Sequence, residues 1–81
     1  MPVVLRYRGY RFFFYAHEGN PREPAHIHVR QGNSEAKIWL HPFVSLCYNH
    51  NVPARDLAEI MRVVMGEKVV IERAWNEFFQ S

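Results

Sequence analysis

The Gly32-Asn33 dipeptide constrains the fold of this chain more than any other feature of its sequence. It separates two segments, 26–31 and 34–40, in which apolar and polar residues alternate. A two-residue turn that contains glycine, placed between two such segments, predicts a β-hairpin in which the residues flanking the turn pair directly. Because strand side chains alternate with a period of two, this register predicts which side chains share a face of the sheet.

A second hairpin is predicted at the N-terminus, where Arg8-Gly9 joins residues 3–7 to residues 10–15. Both flanking segments are rich in β-branched and aromatic residues, which are typical of strands. The stretch 16–25 contains two prolines, a glycine and an asparagine and is predicted to be a loop. The N-terminal half therefore predicts an antiparallel β-meander of about four strands over residues 1–42.

The C-terminal part, residues 53–79, predicts two helices, with a break or a kink between them at Gly66. Asn51 is the predicted N-cap of the first helix, and residues 43–52 fit either a fifth short strand or a packed loop. The apolar positions at helical spacing are Leu57, Ile60, Met61 and Val64, followed by Val70, Ile71, Ala74, Trp75, Phe78 and Phe79. We therefore predict an α+β fold in one domain, residues 1–81, with two C-terminal helices packed on one face of the meander.

Composition narrows the classes of protein to which the chain can belong. Its 81 residues include six Phe, four Tyr and two Trp, whose large rings bury much area in a small domain. Cys47 is the single cysteine, which excludes an internal disulfide. No signal peptide is recognisable and no stretch approaches the ~20 apolar residues of a membrane span, so a cytoplasmic location is expected.

The net charge of +2 is unevenly distributed along the chain. Residues 1–40 carry six Lys or Arg against three Asp or Glu, whereas residues 41–81 carry four against five. The basic character therefore belongs to the predicted sheet, which favours an anionic partner for that part of the molecule.

One face of the predicted sheet, called the polar face below, gathers most of the candidate functional residues. If both hairpins share one sheet, this face carries Arg6, Arg11, Phe13, Tyr15, His26, His28, Arg30, Glu35, Lys37 and Trp39. Exposed aromatic rings among cations would suit single-stranded nucleic acid, because rings stack on bases while Arg and Lys contact phosphates. The alternative is an ordinary amphipathic sheet, with Phe13 and Trp39 covered by the 16–25 loop or by a partner chain.

His26 and His28 form the most distinctive local motif, because two histidines at i and i+2 on a strand project to the same side. Such a pair can supply a general acid and a general base that titrate near neutral pH. Lys37 or Arg30 would then stabilise charge that develops on a phosphodiester. In this hypothesis His26, His28 and Lys37 are the catalytic residues of an enzyme that needs no metal or other cofactor.

Two further uses of the histidine pair are open at the level of sequence. A metal ion could take both imidazoles with His17, Glu18 or His41 as a third ligand, although no close Cys or His pattern fixes that ligand. Alternatively, the pair could simply hydrogen-bond a loop such as 16–25.

Several segments together resemble a bacterial family of unknown function labelled four-one-six-zero. The segments that carry the resemblance are MPVVLRYRGYRFFFYAHEG, PAHIHVR, EAKIWL, ARDLAEI and AWNEFF. The resemblance covers nearly the whole chain in the same order. It matches His26 and His28 to the family's His-x-His-Val motif, and Glu35 and Lys37 to its Glu-Ala-Lys strand; Trp75 and Asn76 match its Trp-Asn pair.

The resemblance also implies a biological setting. Family members look like proteins encoded beside a second small protein, of a family labelled two-four-four-two, and such pairs are interpreted as type II toxin–antitoxin modules. The leading hypothesis is a toxin-like component, acting on RNA through the polar face, with an antitoxin-like protein as partner. The alternative is a non-catalytic module that binds a partner protein through the sheet face or edge. The sequence is compatible with a homo-oligomer, and we expect no contact with a membrane.

Overall fold

The computed structural model describes residues 3–16 and 23–80 of the chain. The strands are β1 (Val3–Tyr7), β2 (Tyr10–Phe13), β3 (His26–Gln31), β4 (Ser34–Trp39) and β5 (Ser45–His50), and the helices are α1 (Ala54–Gly66) and α2 (Lys68–Phe79). The strands form one antiparallel sheet in the order β1-β2-β3-β4-β5, which places β3 at its centre. The α+β class is confirmed, whereas the count of about four strands is wrong because 45–50 adds a fifth.

Both predicted hairpin turns are present. Arg8 and Gly9 have φ angles of 49° and 84°, and Gly32 has a φ of 58°. These left-handed conformations give the turns the twist that joins adjacent antiparallel strands. The β3–β4 register is also as predicted, from His26 opposite Trp39 to Gln31 opposite Ser34.

The core lies between one face of the sheet and the helices. Its sheet side includes Phe12, Ile27, Val29, Ala36, Ile38 and Leu40, all fully buried. Ile60 and Val64 of α1 pack against them, as do Ile71 and Trp75 of α2. Burial of this much apolar surface is the main force that holds the helices on the sheet. The predicted apolar positions of β3 and β4 are therefore confirmed.

The first strand departs from simple alternation. The predicted apolar face includes Val3 with Leu5, but a register shift between them pairs Val3 with Phe13 and Leu5 with Phe12. This bulge moves Val3 to the opposite face, where it is exposed. The placement of Val3 on the apolar face is therefore wrong.

The helix start also differs from the prediction. Pro53 is the N-cap of α1 and provides no side-chain cap, while Asn51 has a φ of 68° in the preceding turn. The Asn49 side chain instead accepts a hydrogen bond from the Val52 amide and donates one to the Val52 carbonyl. Asn51 is not the N-cap because a one-turn loop anchored by Asn49 precedes the helix.

The two helices form one kinked helical segment. The Glu67 amide donates to the Val63 carbonyl, and the Ile71 amide donates to the Glu67 carbonyl, so helical hydrogen bonding continues through the junction. Only Glu67, with φ −105° and ψ 16°, leaves helical geometry. Of the two outcomes predicted near Gly66, a break or a kink, the structure shows the kink. No helix within the described ranges is long and apolar enough to cross a membrane.

Two predicted core positions of α2 are instead exposed. Val70 and Phe78 both present large apolar side chains to solvent, whereas Ile71 and Trp75 are buried. The sheet covers only part of the circumference of α2, so the broad apolar stripe of this helix is not buried over its full width.

Candidate site on the polar face of the sheet

Strand register places the polar-face residues in rows that run across the sheet. One row contains Arg6, Arg11, Arg30, Glu35 and His50, one residue from each strand in order. The neighbouring row contains Val3, Phe13, His28, Lys37 and Tyr48. The first row lies on the more exposed part of the face and the second contains its buried centre.

The histidine pair is buried. The exposed fraction of His26 is 0% and that of His28 is 2%, because both lie on the central strand and are surrounded by rings. The two imidazole centroids are 5.2 Å apart, and the Tyr15 ring lies 4.5 Å from that of His28. The structure thus brings the pair together as predicted, but as part of a packed aromatic cluster.

His26 connects three parts of the fold. Its Nδ1 lies 2.9 Å from the Pro24 carbonyl oxygen, and because a carbonyl can only accept, Nδ1 carries the proton. Its ring also lies 4.8 Å from that of Trp75 on α2. His26 therefore holds the residues before β3, and the loop-binding interpretation of the motif describes this contact.

Glu35 is the polar centre of the cluster. Its carboxylate accepts hydrogen bonds from the hydroxyls of Tyr15 (3.2 Å) and Tyr48 (2.9 Å). The His28 Nδ1 lies 3.3 Å from one carboxylate oxygen, and an Arg30 guanidinium nitrogen lies 3.9 Å from the other. Burial, and then the Glu35 carboxylate, raise the pKa of Tyr15. The Tyr15 hydroxyl is thus one of the donors that hold the Glu35 carboxylate.

Lys37 has a local partner. Its Nζ lies 2.9 Å from an oxygen of Glu23 and 4.7 Å from the centroid of the Trp39 ring, and the side chain is almost fully buried. An ammonium group in this setting neutralises Glu23 and covers the half-buried Trp39 ring. These contacts hold residues 23–25 against the end of the polar face.

The prediction of an exposed Phe13 ring is wrong. Phe13 is fully buried, with its ring stacked 5.8 Å from that of His28. It packs against both the Tyr15 and the His28 ring and is fully buried, so no base can reach it in this conformation. The Phe13 ring is therefore covered, with the Tyr15 and His28 rings among the groups that cover it.

Three cations of the face are at least partly accessible to solvent: Arg6, Arg11 and Arg30, called the arginine row below. Arg6 is exposed, and Arg11 and Arg30 are half-buried. The Arg30 Nε donates to the Gly32 carbonyl at 3.1 Å, which anchors its guanidinium group beside the β3–β4 turn. Neither Arg6 nor Arg11 has an ion pair with any residue that the structure describes. The arginine row is thus the accessible basic part of the predicted site.

The sequence interpretation missed two residues, Tyr48 and His50. They lie on β5, in the segment for which the sequence left strand and packed loop both open, and their rings are 4.8 Å apart beside Glu35. Positions 48 and 50 share a face by the same period of two that oriented the other strands. This spacing could have indicated them once residues 45–50 were taken as a strand.

The metal hypothesis has no geometric support in the part of the chain that the structure describes. Within residues 3–16 and 23–80, no three His, Cys, Asp or Glu side chains are grouped so as to hold a metal ion. Of the proposed third ligands, His17 and Glu18 lie outside the described residues, and His41 is exposed in the loop after β4.

Comparison with known proteins identifies the family. No curated protein and no solved structure is detectably similar to this chain. A family model described as Domain of unknown function (DUF4160) matches residues 9–76, which cover β2 to β5, α1 and most of α2. The resemblance inferred from the sequence motifs is therefore confirmed, and the chain belongs to the DUF4160 family.

Proposed function

We propose that this protein is a cytoplasmic, toxin-like component of a type II toxin–antitoxin module and that it engages RNA through the arginine row. The arginine row is the observation that carries the RNA part of the proposal. It places three guanidinium groups on neighbouring strands, and guanidinium groups bind phosphate strongly through paired hydrogen bonds. The toxin role and the antitoxin-like partner come from the family resemblance.

A growth assay tests the role of the arginine row. Induced expression of the wild-type protein is expected to arrest growth, and the Arg11→Gln/Arg30→Gln variant is expected to be harmless. The matched control is Arg55→Gln/Arg62→Gln, which removes the same charge from exposed positions of α1 and should remain toxic. Equal growth arrest by the wild type and the arginine-row variant would contradict the proposal. A result in which none of the three proteins arrests growth would contradict it as well.

Metal-independent cleavage of the bound RNA by His26, His28 and Lys37 is the finer form of this proposal. Because both histidines are buried and Lys37 pairs with Glu23, these groups can contact a phosphodiester only after the cluster opens. His28→Asn is the sharper test, since it keeps a polar group near Glu35 but cannot transfer a proton. We expect His28→Asn to melt below the wild type, because it removes a buried ring, and to lose RNA cleavage measured with a chelator at a temperature where both proteins are folded. Unchanged cleavage would exclude His28 as a catalytic residue.

A second candidate function is supported by exposed apolar side chains around the helices. Phe43, Met65 and Val69 have exposed fractions of 67%, 62% and 68%, and Phe43 and Met65 line one open cleft of about 380 Å³. Large exposed apolar side chains that lie close together often mark a protein interface. We propose that the cleft binds the antitoxin-like protein encoded beside this one.

Co-purification with the neighbouring gene product tests this second function. The complex is expected to survive Phe43→Leu, which keeps an apolar contact, and to be weakened by Phe43→Ser combined with Met65→Gln. If both variants still form the complex, the partner binds elsewhere on the molecule. A stable complex with no nuclease activity would favour the purely interacting module over the ribonuclease.

A further inference from the structure

The arginine row contains an electrostatic conflict that the fold itself does not need. Arg6 is directly opposite Arg11, and Arg11 is directly opposite Arg30. Arg30 has an ion pair with Glu35 at 3.9 Å, whereas Arg6 and Arg11 have none with the residues that the structure describes. Like charges at directly opposed positions of a sheet destabilise it. Departures of this kind from local stability rules are concentrated at functional sites. An anion bound across the three strands would turn the repulsion into attraction.

The other end of the same row has a different chemistry. Glu35 follows Arg30 across the sheet, and His50 follows Glu35. The exposed His50 ring lies against the ring of Tyr48, whose hydroxyl is held by Glu35 at 2.9 Å. A ring supported in this way offers a stacking surface, and the neighbouring carboxylate, which already accepts from Tyr15 and Tyr48, repels phosphate.

We infer that the row binds a single strand of nucleic acid, with phosphates on Arg6, Arg11 and Arg30 and one unpaired base against the Tyr48–His50 ring pair. This inference rests on the proposed function and specifies its ligand. The basic half of the row holds the backbone. The aromatic half contacts a base. The phosphate contacts therefore position the strand, and the base contact recognises it.

The dimensions of the row favour a single strand over a duplex. With neighbouring strands about 4.8 Å apart, the outer two Cα atoms of the arginine row are separated by roughly 10 Å. Proteins that recognise double-stranded RNA contact two successive minor grooves over about 16 base pairs, which a row of this length cannot span. A duplex also keeps its bases stacked and paired, so none is available to the Tyr48–His50 pair.

Fluorescence anisotropy with a labelled RNA of about 12 nucleotides tests the inference, since this length lies within the range that a small binding surface covers. Three phosphate contacts predict a slope of about −2 in a plot of log K against log salt concentration for a single strand. The same sequence as single-stranded DNA and as an RNA duplex should be titrated in parallel. The single strands are expected to bind more tightly than the duplex, and the two single strands show whether the 2′-hydroxyl contributes.

Two variants separate the halves of the row. Arg11→Gln should reduce the magnitude of the slope by about 0.7, because one phosphate contact is lost. His50→Ala should leave the slope unchanged and weaken binding about fivefold or more, which is the loss expected for one stacked base. Arg62→Gln and His41→Ala are the matched controls, since both positions are exposed outside the row and should retain wild-type binding.

Duplex binding as tight as that of the single strand would overturn the inference, as would a slope that Arg11→Gln does not change. If growth arrest requires the row but no oligonucleotide binds, the toxin role stands and the single-strand inference fails. If oligonucleotides bind as expected but the protein does not arrest growth, the toxin role fails and the binding site stands.

Discussion

At the scale of single residues, Tyr10 shows how the fold accommodates a polar group beneath a helix. Its ring is buried in the core, and its hydroxyl donates a 2.8 Å hydrogen bond to Asp56 in the first turn of α1. Burial, together with the hydrogen bond to and the charge of Asp56, raises the pKa of Tyr10 to about 12. The bond links the start of β2 to the start of the helix, so it contributes to the docking of α1 on the sheet.

The raised pKa predicts a loss of stability at high pH. In the unfolded chain Tyr10 ionises near pH 10, so the folded state disfavours its ionised form. Its contribution is fully present below pH 10 and is lost as the pH rises from about 10 to about 12. Chemical denaturation over this range should show the free energy of unfolding falling by up to about 2 kcal/mol more for the wild type than for Tyr10→Phe. Identical pH profiles would contradict the assignment.

At the scale of secondary-structure elements, two glycines have opposite roles. Gly66 ends α1 with no positive φ, and a Cβ added there would meet no atom within 4 Å. Gly32 also has open space around it, but its φ of 58° is required by the β3–β4 turn. The difference between them is therefore one of backbone conformation and not of packing.

The two glycines give a matched pair of substitutions. Gly66→Ala should stabilise the protein by about 0.5–1 kcal/mol, because alanine loses less conformational entropy in a helix. Gly32→Ala should destabilise it by roughly 1–2 kcal/mol, because a Cβ is unfavourable in the left-handed region. Denaturant midpoints measure both changes. A destabilising Gly66→Ala would mean that the kink at the α1–α2 junction depends on glycine.

The elements also show where sequence patterning succeeds and fails. The β3–β4 hairpin follows from its turn and its alternation, since both specify the same register. Where β4 pairs with β5, Lys37 is opposite Tyr48 but the next residue, Ile38, is opposite Leu46. Cys47 of β5 is therefore an extra residue in a bulge. A bulge interrupts the period of two on which strand prediction depends. For this reason residues 45–50 could not be separated from a packed loop by sequence alone.

At the scale of the whole molecule, the arginine row concentrates charge that is far apart in the sequence. The formal net charge is only +2, yet three guanidinium groups occupy adjacent strands. Exposed charges of this kind repel one another less at high ionic strength. The row should therefore affect the salt dependence of stability as well as ligand binding.

Salt titration tests this effect. Raising sodium chloride from about 0.01 M to about 1 M shortens the Debye length from about 30 Å to about 3 Å. The resulting gain in unfolding free energy should be larger for the wild type than for Arg11→Gln, by a few tenths of a kcal/mol. At low salt, Arg11→Gln should itself be slightly more stable than the wild type. Arg62→Gln serves as the control, and an equal response of the wild type and Arg11→Gln would show that the row is not repulsive.

By itself, the sequence determined the two hairpins and the β3–β4 register. It also determined on which face of the sheet each side chain of β3 and β4 lies. These features are local, because turn conformation and the period of two act between near neighbours in the chain. The tertiary structure decided that His26 and His28 are buried, since this depends on β3 being central and on rings from distant segments, Tyr15 and Trp75 among them. It also added β5, and with it His50 beside Glu35, through a bulged pairing that no alternating pattern specifies.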